Sequence, residues 1–217
     1  IWSDSLIYFA LGAGLFFSFK TRFVQIRLFR EMTRLLVSGK SSEKGISTFQ
    51  ALSVSLSGRV GTGNIAGVAA AIGFGGPGAV FWMWVVAFLG ASTAYVESTL
   101  GQIYKEDSDG QYRGGPAYYI EKAMGQKWYA WIFAFATIVA TGILLPGVQA
   151  NSIGNAVELA LGGGEIIQTV VGPLSTTKLA TSIGVVILLG FIIFGGVKRI
   201  AKFTQIVVPF MAFAYII

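Results

Sequence analysis

Long apolar runs alternate with shorter polar stretches along this 217-residue chain. Most of the runs approach or exceed the ~20 residues that an α-helix needs to cross the hydrocarbon core of a bilayer. Charged residues make up only 12% of the chain, against about 25% in a typical water-soluble domain. The pattern therefore predicts an all-α integral membrane protein with six hydrophobic segments. These segments are 5–19, 48–73, 78–104, 128–161, 179–197 and 203–217.

Lysine and arginine are concentrated in every second loop between these segments. Three such loops hold fourteen of the sixteen basic residues, whereas Lys178 lies in an intervening loop and Arg59 within a segment. Because membrane proteins retain basic residues on the cytoplasmic side, this alternation predicts a multi-pass protein of the cell membrane with its N-terminus outside. No cleavable signal peptide is expected, since no basic stretch precedes the first apolar run. The three basic loops are 20–47, 105–127 and 198–202.

The first basic loop also has a hydrophobic pattern of its own. Its apolar residues recur at helical spacing between 22 and 44, with arginines between them. This predicts a short amphipathic helix that lies at the inner membrane interface. The apolar residues are Val24, Ile26, Leu28, Phe29, Met32, Leu35 and Leu36.

The composition excludes much of the usual catalytic chemistry. The chain has no cysteine and no histidine, which rules out disulfides, thiolate nucleophiles, imidazole bases and the common zinc ligands. An enzyme is therefore not expected, and neither is an organic cofactor. A net charge of +6 could suit nucleic acid, but the basic residues follow the alternate loops instead. We expect no nucleic-acid partner.

The segment 48–73 differs from the others because it carries a row of polar residues and closely spaced glycines. An arginine at mid-bilayer costs roughly 2.5–3.5 kcal/mol on insertion scales, so a purely structural helix would not normally hold Arg59. Each of Gly58, Gly61 and Gly63 weakens a helix by about 1 kcal/mol relative to alanine. We therefore predict a local break, whose carbonyl groups can bind a cation and whose N–H groups can bind a carboxylate. The polar row is Gln50, Ser53, Ser55, Ser57, Arg59, Thr62 and Asn64.

Two other interpretations of these glycines explain less. The spacing Gly61-x-Gly63-x-x-Ala66 matches a dinucleotide-binding pattern, but no strand precedes it and no acidic residue follows at 81–87. The spacing Gly63-x-x-x-Gly67 matches a helix-packing motif, which explains the glycines but not the polar row. A broken helix accounts for both features.

The segment also resembles a known family. The run VGTGNIAGVAAAIGFGGPGAVFWMW, residues 60–84, is similar to the signature of the alanine/glycine:cation symporter family, the sodium:alanine symporters. Residues 21–36, 113–125, 148–157 and 194–216 resemble the same family, so the similarity covers essentially the whole chain. More distantly, the broken helix and the glutamate-bearing helix after it resemble the first two core helices of sodium symporters of the LeuT type.

This resemblance implies a LeuT-type inverted-repeat transporter with two five-helix halves. Residues 1–47 would form an N-terminal transmembrane helix and an interfacial amphipathic segment. Residues 48–217 would form the first five-helix repeat of the transporter core. The chain would then carry half of the full fold and half of the binding site, and its partner would be the second half of the same transporter.

The resemblance also implies binding residues on both sides of the break. The substrate carboxylate is expected at the N–H groups of Thr62, Gly63 and Asn64, where a half-helix begins and its dipole favours an anion. A sodium ion is expected at the backbone carbonyl groups of Ser57 and Val60, with its other ligands in the second half.

Gln149, in the fourth segment, is the best candidate for a side chain that contacts the ammonium or carboxylate group of the substrate. The family usually has a Gly-Asn pair before the valine that precedes this glutamine, whereas this chain has Leu145-Pro146-Gly147-Val148. Pro146 predicts a local kink. The alternative role for the amides of this segment is hydrogen bonding between helices.

Two charged residues within apolar segments, Arg59 and Glu97, are expected to have structural or coupling roles. The guanidinium of Arg59 could replace the second sodium ion of two-sodium symporters, or it could pair with Glu97 or with backbone carbonyl groups. Glu97 matches a buried glutamate that, in LeuT-type proteins, accepts hydrogen bonds from unwound backbone. Direct cation binding and a protonated, pH-sensitive carboxyl group are the other options.

These expectations lead to a secondary active symporter, in which sodium entry drives the uptake of a small neutral amino acid, alanine or glycine. A proton could replace sodium, and membrane lipid is the surrounding partner. The alternatives are another LeuT-fold solute transporter, a passive channel and a membrane enzyme. A channel predicts rings of like residues, which a single cluster of arginine, glutamate and amides does not provide, and an enzyme lacks catalytic groups.

Overall fold

The computed structural model describes residues 3–38, 45–108, 110–169 and 172–216. Helices dominate these residues, as the apolar runs predict. Up to the first hairpin they are α1 (Asp4–Lys20), α2 (Val24–Arg27), α3 (Phe29–Ser38), α4 (Thr48–Ser57), the π-helical turn π1 (Gly63–Gly67), α5 (Val68–Gly75) and α6 (Gly78–Ile103). After it come α7 (Pro116–Met124), α8 (Lys127–Val139), the π-helical turn π2 (Ala140–Leu144), α9 (Leu145–Leu161), α10 (Thr176–Ile193) and α11 (Gly196–Ile216).

Two antiparallel hairpins interrupt the helices, so the all-α prediction is correct for the apolar segments but not for the loops. The first hairpin pairs β1 (Glu106–Ser108) with β2 (Gln111–Arg113), and the second pairs β3 (Ile166–Thr169) with β4 (Gly172–Ser175). Each strand has only three or four residues. Such short strands leave no alternating pattern long enough to be recognised in the sequence.

Three of the described helices are long and apolar enough to cross a membrane. They are Gly78–Ile103, Lys127–Leu161 and Thr176–Ile193, and the second of them joins α8, π2 and α9. These helices correspond to the third, fourth and fifth predicted segments. The first predicted segment forms the 17-residue α1, and the second is divided between α4 and the shorter apolar helix Gly63–Gly75. Six membrane crossings therefore stay a prediction.

The predicted loop 198–202 is wrong, because these residues form the first turns of α11. The chain turns earlier, at Phe194 and Gly195, and Gly196 has a φ of 73°. Glycine tolerates this left-handed conformation without steric cost. Lysine and arginine are good helix formers, so the basic residues that follow continue as a helix.

Most of the large apolar side chains among the described residues are exposed. Phe74, Phe194 and Leu159 are each at least 90% exposed. The fully buried side chains with the largest volume are instead three serines, Ser18, Ser53 and Ser92. A water-soluble domain shows the opposite distribution. Helices in lipid pack through small residues and leave their large apolar side chains to the hydrocarbon, so this pattern suits a membrane.

Contacts between residues divide the chain into two compact units. Unit 1 comprises Ile1–Phe49 and Gly63–Phe135, and unit 2 comprises Gln50–Thr62 and Ala136–Ile217. This division reflects packing and does not address repeats. The boundary between residues 47 and 48 therefore stays a prediction.

In unit 1, α1 and α6 pack through a contact that we call the α1–α6 seam, formed by Gly14, Ser18, Leu89 and Ser92. A Cβ atom on Gly14 would lie 3.0 Å from the Leu89 Cβ, so glycine allows the two helices this close approach. The Ser18 hydroxyl donates a hydrogen bond to Ser92 Oγ at 3.1 Å. The Ser92 hydroxyl in turn donates to the Gly14 carbonyl at 2.9 Å. The buried hydroxyl groups of the seam thus satisfy each other.

After α1 the chain turns through Arg22 and Phe23, both at positive φ, into α2. Val24 of α2 is buried, and Gln25 Nε2 donates to Ser18 Oγ at 2.9 Å and to the Phe88 carbonyl at 3.3 Å. These contacts fix α2 to the end of the α1–α6 seam. The amphipathic helix predicted within 22–44 is present as α2 and α3. Its position at a membrane interface stays a prediction.

In unit 2, Lys178 joins α10 to α9. Its Nζ lies 3.2 Å from Glu158 Oε2, and its stem packs against Gly154, where a Cβ atom would lie 3.4 Å from Lys178 Cγ. Ser175 caps α10 by accepting a hydrogen bond from the Lys178 N–H at 3.3 Å. Lys178, which lies outside the three basic loops, is therefore neutralised by the carboxylate of Glu158.

Candidate functional site

The predicted break in the second segment is present. The helix α4 ends at Ser57, residues 58–61 are not helical, and π1 begins at Gly63. The end of α4 is closed by short-range bonds: the Gly58 N–H donates to the Val54 carbonyl at 3.2 Å, and the Arg59 and Val60 N–H groups both donate to the Leu56 carbonyl at 2.9 Å. The helix therefore stops within an apolar segment, where the glycines lower the cost of leaving the helical conformation.

Gln149 of α9 reaches this break within unit 2. Its Oε1 accepts a hydrogen bond from the Thr62 N–H at 3.2 Å. A Cβ atom built on Gly61 would overlap Nε2 of Gln149, so a glycine is needed for the glutamine to come this close. We refer to this arrangement as the Gly61–Thr62–Gln149 contact. It joins two of the residues that the sequence assigns to the substrate, although 87 positions separate them in the chain.

Gly63 and Asn64 follow Thr62 directly as the first residues of π1. Both are exposed. The first N–H groups of a helix have no acceptor within that helix, and the helix dipole adds a partial positive charge there. The assignment of Gly63 and Asn64 to the substrate carboxylate stays a prediction.

The residues predicted to bind sodium lie at the other side of the break. Ser57 is the last residue of α4, and its hydroxyl donates to the Val54 carbonyl at 2.8 Å. Val60 lies in the non-helical stretch. Among the described residues, no group of three acidic, histidine or cysteine side chains could hold a metal ion. A cation bound by this part of the chain would therefore depend on backbone carbonyl and hydroxyl oxygens, as at other broken transmembrane helices.

Arg59 extends back along α4, where its Nη1 donates to Ser55 Oγ. Glu97 lies on α6 in unit 1 and is exposed in this chain, not buried as the resemblance implies. Burial raises the pKa of the nearby Tyr119 above its ordinary value. The negative charge of Glu97 raises this pKa further, and the charge of Tyr129 makes the smallest of the three contributions. Arg59 and Glu97 belong to different units, and their ion pair and their roles stay predictions.

Two π-helical turns flank the residues of the contact. One is π1, which follows Thr62, and the other is π2, which ends two residues before Pro146. Proline has no N–H to donate to the carbonyl four residues earlier, so it weakens the regular helix at the place where the sequence predicts a kink. Turns of this kind within α-helices are frequent at functional sites. Sequence inspection found the proline but gave no sign of the π-helical geometry.

A broken apolar helix that offers backbone donors and acceptors inside a membrane protein is typical of secondary transporters. The comparison with protein families agrees with this class. The model of the sodium:alanine symporter family matches residues 1–217. The chain belongs to the sodium:alanine symporter family, whose members are transporters and not enzymes.

Three relatives show what the family includes. The chain is 58% identical over 217 residues to the "Putative sodium/proton-dependent alanine carrier protein YrbD" of Bacillus subtilis (strain 168). The aligned region covers all of this chain and 42% of the relative. It is 43% identical over 218 residues to the "Probable sodium/glutamine symporter GlnT" of the same organism, covering all of this chain and 43% of the relative. It is 48% identical over 185 residues to the "Sodium/proton-dependent alanine carrier protein" of Bacillus sp. (strain PS3), covering 85% of this chain and 38% of the relative. The chain thus spans less than half the length of these relatives.

Proposed function

We propose that this chain forms part of a secondary active symporter of the cell membrane. A sodium ion, or a proton, moving down its gradient would drive the uptake of a small neutral amino acid, with alanine as the first candidate and glycine as the second. The observation that carries this proposal is the Gly61–Thr62–Gln149 contact at a broken helix, in a chain of the sodium:alanine symporter family.

The contact suggests how the substrate carboxylate is held. Because the Thr62 N–H donates to Gln149 Oε1, it acts on the substrate through the glutamine. A carboxamide that accepts a hydrogen bond at its oxygen becomes polarised and is a better donor at its nitrogen. The carboxylate is then bound by Gln149 Nε2, which the bond to Thr62 orients. Hydrogen bonds to a charged group are roughly twice as strong as neutral ones, which suits recognition of a zwitterion.

The same break provides the coupling between ion and substrate. The carbonyl groups of Ser57 and Val60 bind the sodium ion at the end of α4, and π1 begins only a few residues later. An ion that stabilises the unwound backbone also holds the Thr62 N–H, and with it Gln149, in place for the carboxylate. Such coupling is reciprocal and is typically worth about 1–3 kcal/mol.

Arg59 lies between Ser57 and Val60 in the chain. Its hydrogen bond to Ser55 keeps the guanidinium beside the last turn of α4. We propose that this fixed positive charge replaces a second sodium ion, so that one sodium ion accompanies each substrate. Glu97 has the scaffold role that the resemblance implies.

The wider architecture completes the proposal. Residues 1–47 form an N-terminal helix with an interfacial segment, and residues 48–217 form the first five-helix repeat of a LeuT-type fold. The second half of the transporter supplies the remaining ligands. The N-terminus lies outside the cell, and the neutralisation of Lys178 by Glu158 supports this topology, because Lys178 is on the side where basic residues are scarce.

Transport assays test the proposal directly. The whole protein is reconstituted into proteoliposomes, and the uptake of labelled alanine is measured with and without an inward sodium gradient. We expect accumulation above the outside concentration with the gradient and loss of accumulation when potassium replaces sodium, unless a proton gradient restores it. Competition by unlabelled glycine and glutamine ranks the substrates. Uptake that only equilibrates, whatever the gradient, would indicate a channel and contradict the proposal.

A further inference from the structure

A group of arginines lies on α2 and α3, in a part of unit 1 that the proposed transport cycle does not use. We propose that this surface binds the phosphate headgroup of an anionic phospholipid. The surface, which we call the arginine pocket, is an open cavity of about 690 Å³. It is lined by Arg27, Arg30, Glu31, Thr33 and Arg34.

The charges of the pocket favour an anion. Arg27 Nη2 donates to the Thr21 carbonyl at 3.3 Å, which holds its guanidinium near the end of α1. Arg34 pairs with Glu31 one turn away. Arg30 has no ion-pair partner among the residues that the structure describes. Three guanidinium groups therefore face a single carboxylate. The planar donors of arginine match the oxygens of a phosphate group in a bidentate manner, which a lysine ammonium cannot do.

The opposite face of the same helix favours a lipid over a free phosphate ion. Residues three and four apart share a face of a helix, so Arg30 and Arg34 lie on one side and Phe29, Met32 and Leu36 on the other. Phe29 is 63% exposed, and Met32 and Leu36 are exposed as well. A helix of this kind buries its apolar face about 5–10 Å into the boundary between headgroups and acyl chains. Its polar face is then at the depth of the phosphates.

Contacts in unit 1 hold α3 close to that boundary. Val24 is buried, and Gln25 bonds to Ser18 and to the Phe88 carbonyl, so α2 is fixed where α1 ends. Lys20, the last residue of α1, marks the same end of the helix. The arginine pocket is therefore adjacent to the end of an apolar helix. Phosphate chemistry and exposed apolar side chains together identify a phospholipid as the ligand.

Lipid retention tests this proposal. The whole protein is placed in nanodiscs of phosphatidylcholine mixed with phosphatidylglycerol, and the lipids that remain bound after release are identified by native mass spectrometry. We expect wild-type protein to retain phosphatidylglycerol in preference to phosphatidylcholine. Each basic side chain near an anionic surface contributes about a five-fold preference, so changing Arg27, Arg30 and Arg34 to glutamine should reduce retention roughly 100-fold.

A matched variant separates the pocket from general electrostatic attraction. Lys198→Gln, Arg199→Gln and Lys202→Gln together remove the same charge from exposed positions of α11. These side chains do not line the arginine pocket, so we expect this variant to lose markedly less phosphatidylglycerol than the arginine variant, and equal losses in the two variants would overturn the proposal. Release of the lipid by added inorganic phosphate would also overturn it, because the ligand would then be the free ion. If the arginine variant is not monodisperse, Arg30→Gln alone replaces it, with an expected loss of about five-fold.

Discussion

Small and polar residues interrupt apolar helices at two places in this protein, with opposite results. In the α1–α6 seam of unit 1, Ser18 and Ser92 are fully buried and bond to each other and to a backbone carbonyl. In the Gly61–Thr62–Gln149 contact of unit 2, the helix is broken, and Thr62 and Gln149 are only half-buried. The seam is closed by hydrogen bonds between two intact helices, whereas the contact joins an interrupted backbone to a single side chain.

Residue type does not separate these two places, because glycine lies at the centre of both. The missing side chain of Gly14 lets α6 pack closely against α1, and that of Gly61 makes room for the side chain of Gln149. In the seam the helical backbone is intact, so the serine hydroxyl groups are the polar atoms that need partners. At the break the backbone bonds are rearranged, and the Thr62 N–H has a side-chain acceptor. The two places therefore differ in their backbone hydrogen bonding and not in the presence of small and polar residues.

The largest effect is expected from Gly61→Ala. The added methyl group overlaps the end of the flexible Gln149 side chain, which can move aside without shifting the backbone. The fold should therefore survive, while the bond between Thr62 and Gln149 is lost. A displaced Gln149 also loses its proposed bond to the substrate carboxylate. Because a hydrogen bond to a charged group is worth about 1.5–3 kcal/mol, we expect kcat/KM for alanine uptake to fall on the order of 10- to 100-fold.

Gly58→Ala is the matched control, since a Cβ atom there would lie 3.8 Å from the Val54 carbonyl oxygen, an ordinary van der Waals contact. Uptake by this variant should be close to wild type. Equal losses in the two variants would mean that the break as a whole, and not the clearance for Gln149, sets the rate.

Gln149→Ala, combined with Gly61→Ala in a double variant, tests whether Gly61 acts through the clearance that it gives Gln149. If Gly61→Ala acts by displacing the glutamine, the two changes should cause similar losses, about 10- to 100-fold, and the double variant should be no worse than Gln149→Ala alone. The measurement is kcat/KM for uptake in all four proteins. Multiplicative losses in the double variant would show that Gly61 acts independently of Gln149.

Gly14→Ala probes the seam, where the effect should be on stability. The added methyl group would lie 3.0 Å from the Leu89 Cβ and 3.2 Å from the Leu89 carbonyl oxygen, so the two helices must separate slightly. Overpacking of this kind typically costs about 1–3 kcal/mol. We expect a lower thermal midpoint in detergent, with uptake per folded protein unchanged. Gly12→Ala, which meets nothing within 4 Å, should leave the midpoint unchanged or slightly raised, and a drop equal to that of Gly14→Ala would contradict this account.

Ser92→Ala should have the smallest effect. It removes the hydroxyl that links Ser18 to the Gly14 carbonyl, but Ser18 keeps its bond from Gln25. Hydrogen bonds between transmembrane helices are worth about 0.6 kcal/mol on average. A small fall in the thermal midpoint and normal uptake are expected. A large loss of uptake would show that the seam takes part in transport and would remove the distinction between the two places.

Much of this organisation could be predicted from the sequence because it depends on neighbours in the chain. The apolar runs predict the long helices, the glycines around Arg59 predict the break, and the spacing after Arg22 predicts the amphipathic helix. Each of these depends on local propensity and hydrophobic pattern, which act within a few turns. The family resemblance added the assignment of Thr62 and Gln149 to a common substrate, which neither propensity nor pattern contains.

The tertiary structure alone decided how those residues meet. Gln149 is 87 positions from Thr62, and Ser92 is 74 from Ser18. No local rule links residues so far apart, since their contact depends on how whole helices pack. Gly61 shows the limit most clearly: the sequence indicates a helix breaker, and only the packed structure shows that its missing side chain makes room for Gln149. Local sequence thus determined where the helix breaks, and packing determined which side chain reaches the break.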